Sequence, residues 1–358
     1  METRYHSVVM DEEKCKGCTN CIKTCPTEAI RVRGGKAFIL TERCIDCGEC
    51  IRTCENHAKR AVADGLNALD KYEYRVALPA PSLYAQFKAE RPGKIISALH
   101  HLGFDEVYEV AYAAEFSTYA IKSYIEEYLK ENKDERPPLI SSSCPAVTRL
   151  IQVRFPSLIP NLAPIDPPYI TAVKFFIKHK LLKLQIPREK VGIFFISPCP
   201  AKITDIKTSE EKLVDGAIPF NVIFGELKQY LKRNDLQTCP QKSTGVGIGW
   251  ARAGGENVAV KLENAMSVDG IQNVVALLEE IEMGKLNDID YVEAMACPQG
   301  CVGGALTVEN PFVARVMIRK LADFYGDQLL PVAVKDISIE LQKEDPFFFV
   351  HDKPIPAK

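Results

Sequence analysis

Eight of the thirteen cysteines fall between Cys15 and Cys54, in two runs of one spacing. Cys15, Cys18, Cys21 and Cys25 form a C-x2-C-x2-C-x3-C run followed by Pro26. Cys44, Cys47, Cys50 and Cys54 repeat it, with Glu55 in the proline's place. Nothing else in the chain restricts its fold as much. Reducing compartments disfavour disulfides, so clustered cysteines there bind metal more readily than each other. The odd total also argues against full pairing. Zinc sites usually take two ligands per run, whereas here three close thiols wrap one centre. Two zinc sites stand as the weaker alternative.

The remaining composition narrows the setting. Over 358 residues, 46% are hydrophobic, 26% are charged and the formal net charge is −2. That length suits two or three domains. A balance so near zero gives no electrostatic footprint for nucleic acid. No apolar run is long enough to cross a membrane. The first residues, Met1 to His6, lack the apolar core of a signal peptide, which makes the cytoplasm the expected compartment.

The two cysteine runs follow the bacterial two-cluster ferredoxin pattern, in which the fourth cysteine of each run ligates the other cluster. The first [4Fe–4S] cluster is therefore assigned to Cys15, Cys18, Cys21 and Cys54, and the second to Cys44, Cys47, Cys50 and Cys25. Such a module carries electrons. His57 reads as a surface residue. Helical spacing from Ala61 to Tyr74 reads as a connection. The division falls near residue 70, giving a ferredoxin-like domain over 1–70 and a larger domain over 71–358.

From Tyr74 onward, strand and helix patterns alternate. Strands are expected at Arg75–Leu78, Asp105–Val110, Leu139–Ile140, Lys190–Ile196, Asn221–Phe224 and Ile289–Met295. Helices are expected at 94–102, 115–130, 147–155, 226–232, 268–283 and 310–325. The glycine-rich run from Gly245 to Gly255 lacks a phosphate-binding lysine and reads as a close-packed or mobile loop. Cys239, His100 and His101 read as structural. The rings of Phe347 to Phe349 are expected to tuck against the body. The pattern implies a two-lobed α/β domain with mixed sheets.

Three expected strands end in a loop carrying cysteine. Leu139–Ile140 leads to Cys144-Pro145, Lys190–Ile196 leads to Cys199-Pro200, and Ile289–Met295 leads to Cys297 and Cys301 among Gly300, Gly303 and Gly304. Converging at the carboxyl edges of their sheets, they would supply four thiolates, the number one [4Fe–4S] cube needs. Separate buried cysteines are the plainer alternative.

These residues resemble the iron-only, or [FeFe], hydrogenases. The resemblance rests on the ferredoxin module, Ala80-Pro-Ser82, Ser142-Ser-Cys144-Pro145, Pro198-Cys199-x2-Lys202 and the run from Glu293 to Gly304. It implies that Cys144, Cys199, Cys297 and Cys301 hold the cube of an H-cluster. Cys301 would bridge to a diiron subcluster bearing carbon monoxide, cyanide and azadithiolate. Lys202 and Ser82 would donate hydrogen bonds to the cyanides, and Met295 would pack near the irons.

The departures from the family pattern concern protons. Ser143 stands where the efficient enzymes carry a relay cysteine, and Ser197 where they carry methionine. An alcohol is a far poorer acid than a thiol. The expected glutamate near Tyr119–Ile121 and glutamine near Asp166–Pro168 are missing, and Gln299 replaces a glycine. The combination resembles the sensory hydrogenases. It implies slow reversible hydrogen oxidation and proton reduction, reporting hydrogen or redox state. The implied partners are a redox or signalling protein and the maturation enzymes that load the diiron unit. Oligomeric state stays open, a homodimer included. The alternative is an electron-transfer or scaffold protein without a diiron subcluster.

Overall fold

The computed structural model describes residues 5–88, 90–132, 136–233 and 235–326, with residues 337, 338, 340–342, 345 and 348–350 beyond them. Strands are numbered here in chain order. In the N-terminal module β1 (Val8–Met10) pairs antiparallel with β4 (Lys59–Ala61). β2 (Ile30–Arg33) pairs antiparallel with β3 (Lys36–Ile39). Gly34 and Gly35 close that hairpin, both at positive φ as a tight primed turn demands.

The repeat of the cysteine runs extends to the backbone. Left-handed residues recur 29 positions apart: Gly17 with Asp46, Thr19 with Gly48, Glu28 with His57. The Ala29 amide donates to Cys25 Sγ and the Ala58 amide to Cys54 Sγ, both at 3.2 Å. The module is thus two copies of one turn–helix unit wrapped face to face. His57 is exposed, in its place in the repeat.

The large domain is built on two sheets. One has the order β6-β5-β8-β9, from β6 (Glu106–Val107), β5 (Tyr74–Pro79), β8 (Val191–Ser197) and β9 (Gly216–Pro219). The other has the order β10-β11-β7, from β10 (Ala265–Asp269), β11 (Tyr291–Met295) and β7 (Leu139–Ile140). The sequence predicts mixed sheets, yet every strand pair in both is parallel. The reason is local: helices return the chain between strands, and a helical crossover is the connection parallel strands need. Each residue of β8 and β11 is buried, as parallel strands covered on both faces should be.

Several element boundaries differ from expectation. The strand predicted over Asn221–Phe224 is the first turn of a helix, Phe220–Leu231. Phe220, Ile223, Leu227 and Leu231 are its buried stripe, and this helical period overrides the β-branched local preference. The strand itself lies just before, ending at Pro219. The strand expected to reach Val110 stops at Val107, because Val110 opens a 22-residue helix to Glu131. The helix predicted from Val268 begins at Ile271, after β10 and Gly270 at φ 85°. The glycine-rich run holds two short helices, Gly245–Gly249 and Gly255–Val260, and is close-packed. A Cβ on Gly247 would sit 1.8 Å from the Ala111 carbonyl oxygen. His100 bonds Phe104 O through Nδ1 and His101 stacks on Tyr230, both structural roles. Phe348 and Phe349 are buried against Phe175; Phe347 lies outside the described residues.

The module is seated on the large domain by polar contacts. Ser7 Oγ donates to Pro200 O at 2.9 Å and the Ser7 amide to Thr204 Oγ1 at 3.0 Å, while Asp46 Oδ1, within the module, accepts from the amides of Ser7 and Val8. Cys47 joins the apolar cluster formed by Ala146, Val147, Ala201 and Ala296. Cys18 is exposed on the module.

Two glycine substitutions should separate packing from propensity. Gly247→Ala should destabilise the protein by about 2 kcal/mol or more, since a Cβ meets backbone that cannot yield. Gly225→Ala, on an exposed helical position with no atom near its Cβ, should stabilise by about 0.5–1 kcal/mol. Chemical denaturation of the two variants checks this; equal effects would contradict it.

Candidate functional site: a four-thiol cavity

β7, β8 and β11 all end at one cavity. Cys144 follows β7 and is the N-cap of the helix Pro145–Arg154. Cys199 follows β8 and is the N-cap of the helix Pro200–Thr208. Both helices carry proline at the first turn, where its missing N–H costs nothing. A helix N-terminus presents partial positive charge, so both sulfurs lie where a thiolate is favoured. Cys297 follows β11, and Cys301 opens the short turn Cys301–Gly303.

Glycine locks the loops together. The Leu306 amide donates to Pro198 O at 2.9 Å, and a Cβ on Gly304 would lie 2.3 Å from that oxygen. A side chain there would push the Cys301 loop off the Cys199 loop. Gln299 stands at φ 64°, a left-handed conformation that favours glycine. Asp269 accepts from its amide, its carbonyl accepts from Ala253 and its side chain accepts from Arg315. Those three bonds hold the strained residue in place.

Cys144, Cys199, Cys297 and Cys301 all line the cavity, with Ser143, Lys202, Met295, Tyr169, Phe195, Trp250 and Glu256 among their neighbours. Burial pushes the thiols of Cys199 and Cys297 up and that of Cys301 up to about 12. Left to themselves they would stay protonated. Bound metal reverses this, because a coordinating thiol is deprotonated outright.

Lys202 supplies the compensating charge. Burial works against its ammonium, but the thiols of Cys301, Cys199 and Cys144 hold its pKa above the ordinary lysine value. Its Nζ donates to Ser143 O at 3.1 Å and lies 5.8 Å from the Tyr169 ring centroid. Ser82 is fully buried and its Oγ has no hydrogen-bond partner, beside the lining residues Ala80 and Pro81. A buried hydroxyl left unbonded is costly unless a ligand takes it. Met295 lines the cavity. Ser197 is outside the lining: its Oγ donates to Cys199 O at 2.9 Å and accepts from the Cys199 amide.

In the module, Cys25 lies with Cys44, Cys47 and Cys50, each of whose thiols it raises. Cys54 and Cys18 act on Cys21. Cys15 accepts from the Ala37 amide at 3.4 Å. Cys25 thus lies near the cysteines of the second run, and Cys54 near Cys21 of the first.

Sequence reasoning missed a carboxylate at the cavity. Glu256 is fully buried, lines the cavity and accepts from Ser141 Oγ at 2.9 Å. Tyr291 OH donates to its other oxygen, and Ser143 lines the same cavity wall. Glu293, buried behind it, accepts from the amides of Gly254 and Asn257 at 3.0 Å and from Ser267 Oγ. Burial raises both carboxyls, and for Glu256 the neighbouring Glu293 adds to the rise. Glu293 had a sequence signal, an acid inside a buried strand. Glu256 had none.

The family model for "Iron only hydrogenase large subunit, C-terminal domain" matches residues 73–255 and 251–305, and that for "4Fe-4S dicluster domain" matches residues 7–55. The chain belongs to the iron-only hydrogenase family. It is 24% identical to the periplasmic [Fe] hydrogenase large subunit of Nitratidesulfovibrio vulgaris, across 90% of this chain and 91% of that one. It is 24% identical to iron hydrogenase 1 of Clostridium pasteurianum, across 90% of this chain and 68% of that one. A structure of the [FeFe]-hydrogenase HydA1 from Chlamydomonas reinhardtii superposes with a TM-score of 0.62 at 18% identity, covering 80% of this chain and 96% of that one. The fold is therefore an [FeFe]-hydrogenase fold behind an iron–sulfur dicluster module. Among the described residues no helix is long and apolar enough to cross a membrane.

The raised carboxyl of Glu256 gives a pH signature. Its folded pKa lies above the ordinary 4.5, so the folded state binds more protons than the unfolded one. The associated stability is full below pH 4.5 and falls as pH rises through the folded pKa. Glu256→Gln should flatten that decline in unfolding midpoints measured from pH 5 upward. An unchanged slope would contradict the assignment.

Proposed function

We propose that this chain is an [FeFe] hydrogenase of low turnover that reads hydrogen or redox state, with the H-cluster in the four-thiol cavity. The observation that carries the reading is the cavity itself. Four thiols without disulfide partners share one enclosure with a buried ammonium and an unbonded buried hydroxyl. These residues fit the group. Cys144, Cys199, Cys297 and Cys301 would hold it; Lys202 and Ser82 would donate to its cyanides. When bound, it supplies reversible cleavage of hydrogen into protons and electrons.

The residues around it set the rate. Ser143, where the efficient enzymes carry cysteine, offers an alcohol at the cavity wall. An alcohol rarely ionises, so it passes a proton only by giving one up as it takes another. Sharing that wall is Glu256, whose carboxyl is raised by burial and suited to hold a proton near neutrality. From Glu256 the next acid is Glu293, which accepts from the exposed Ser267. This chain of carboxyls and hydroxyls is a slow proton route in place of the missing relay. Tyr169 and Pro168 fill the wall with apolar bulk and exclude water.

Electrons would leave the cavity by way of the second ferredoxin cluster, on Cys44, Cys47, Cys50 and Cys25, whose loop packs on the large domain. They would reach the first cluster, whose Cys18 is exposed to a redox or signalling partner. Maturation enzymes would supply the diiron unit.

Restoring the thiol tests the reading. Ser143→Cys should raise hydrogen evolution tenfold or more at equal H-cluster content, while Cys144→Ser should remove the iron of one cube and leave the other two. Unchanged turnover of the first variant would contradict the slow relay. Full iron in the second would contradict the ligand set and favour a scaffold protein.

A further inference from the structure

One guanidinium reaches from the ferredoxin module to a cysteine of the cavity. Arg52 lies on the helix Glu49–Arg52, two residues after Cys50. Its Nη1 donates to Cys297 Sγ at 3.7 Å and to Gly303 O at 3.1 Å, across 245 residues of sequence. Its Nε and Nη2 both donate to Glu49 Oε2, at 3.1 and 2.6 Å. Arg52 and Glu49 are both mostly buried, so solvent screens the pair only partly. One cation and one anion therefore sit in the space between a proposed ligand of the second cluster and a proposed ligand of the cavity cube. Beside this pair Gly48 abuts Pro200 and Ala305.

Resting on the ligand set proposed above, we infer that Arg52 raises the reduction potential of the cavity cube through Cys297, with Glu49 as its counterweight. The physics is that of any donor to a cluster sulfur. Adding an electron makes the cube and its thiolates more negative. A charge-assisted donor stabilises the more negative state. Hydrogen bonds to cluster sulfurs are an established lever on potential. The electron comes from the second ferredoxin cluster, which is oxidised as the cube is reduced; no bond forms or breaks. The two side chains act on Cys297 in opposite senses: Arg52 favours its thiolate and Glu49 disfavours it. The Arg52–Gly303 bond also fixes the loop that carries Cys301, so the same residue holds the wire against the cube it feeds.

The opposite signs make the inference testable. The full chain would be loaded with its three cubes and titrated electrochemically under electron paramagnetic resonance, the cavity cube being the signal lost in Cys144→Ser. At fixed potential, Arg52→Met should lower the reduced-to-oxidised ratio of that cube about tenfold, equal to 59 mV for one electron. Arg52→Lys, which keeps the charge and loses the fork, should fall between. Glu49→Gln should raise the ratio. Loss of mere structural support would move all three variants the same way and disturb the ferredoxin signals as well, which would overturn the inference. So would three intact cubes with an unmoved ratio, and that result leaves the proposed ligand set standing. A wild-type chain with no third cube would overturn both.

Discussion

Four thiols around one cavity are the constraint on which the rest depends. A thiolate in low dielectric is expensive, and burial raises Cys199, Cys297 and Cys301 accordingly. The fold answers with charge placed from several directions. Two sulfurs sit at helix N-termini, Lys202 lies beside three of them and Arg52 reaches Cys297 from the other domain. None of these cations is free to leave. Lys202 is held by Ser143 O, and Arg52 by Gly303 O and Glu49. The glycines of the Cys301 loop then let that loop pack against the loop carrying Cys199.

The same dry environment shapes the acid–base groups. A carboxyl in water is ionised at neutral pH, whereas Glu256, enclosed with Glu293, Tyr291 and Ser141, is held toward its protonated form. The cavity therefore has an acid at its wall beside the Ser143 alcohol. In the proposed function an alcohol followed by a raised carboxyl would carry protons slowly, in keeping with the proposed sensing output.

The legible parts of the sequence were the local ones. Ferredoxin-like cysteine spacing, proline after Cys144 and Cys199, and glycines around Cys301 each declare themselves within a dozen residues. The parallel core strand β8 was equally plain as a nearly continuous apolar run, and β11 as one broken only by Glu293. What stayed hidden depends on distance along the chain. Glu256 meets Ser141 across 115 residues and Tyr291 across 35, and Arg52 meets Cys297 across 245. No short window contains such a pair. β10 was missed because it is short and only half-buried, and Val268 fits a helix as readily as a strand. The strand placed over Asn221–Phe224 failed because β-branched residues there serve a helical stripe.

The most direct test is an infrared spectrum of the chain after maturation with a diiron precursor, taken before and after exposure to hydrogen. The account predicts sharp cyanide and carbonyl bands that shift under hydrogen. Absence of those bands in a chain carrying its full complement of cubes would contradict it, and would leave a protein that moves electrons without meeting hydrogen.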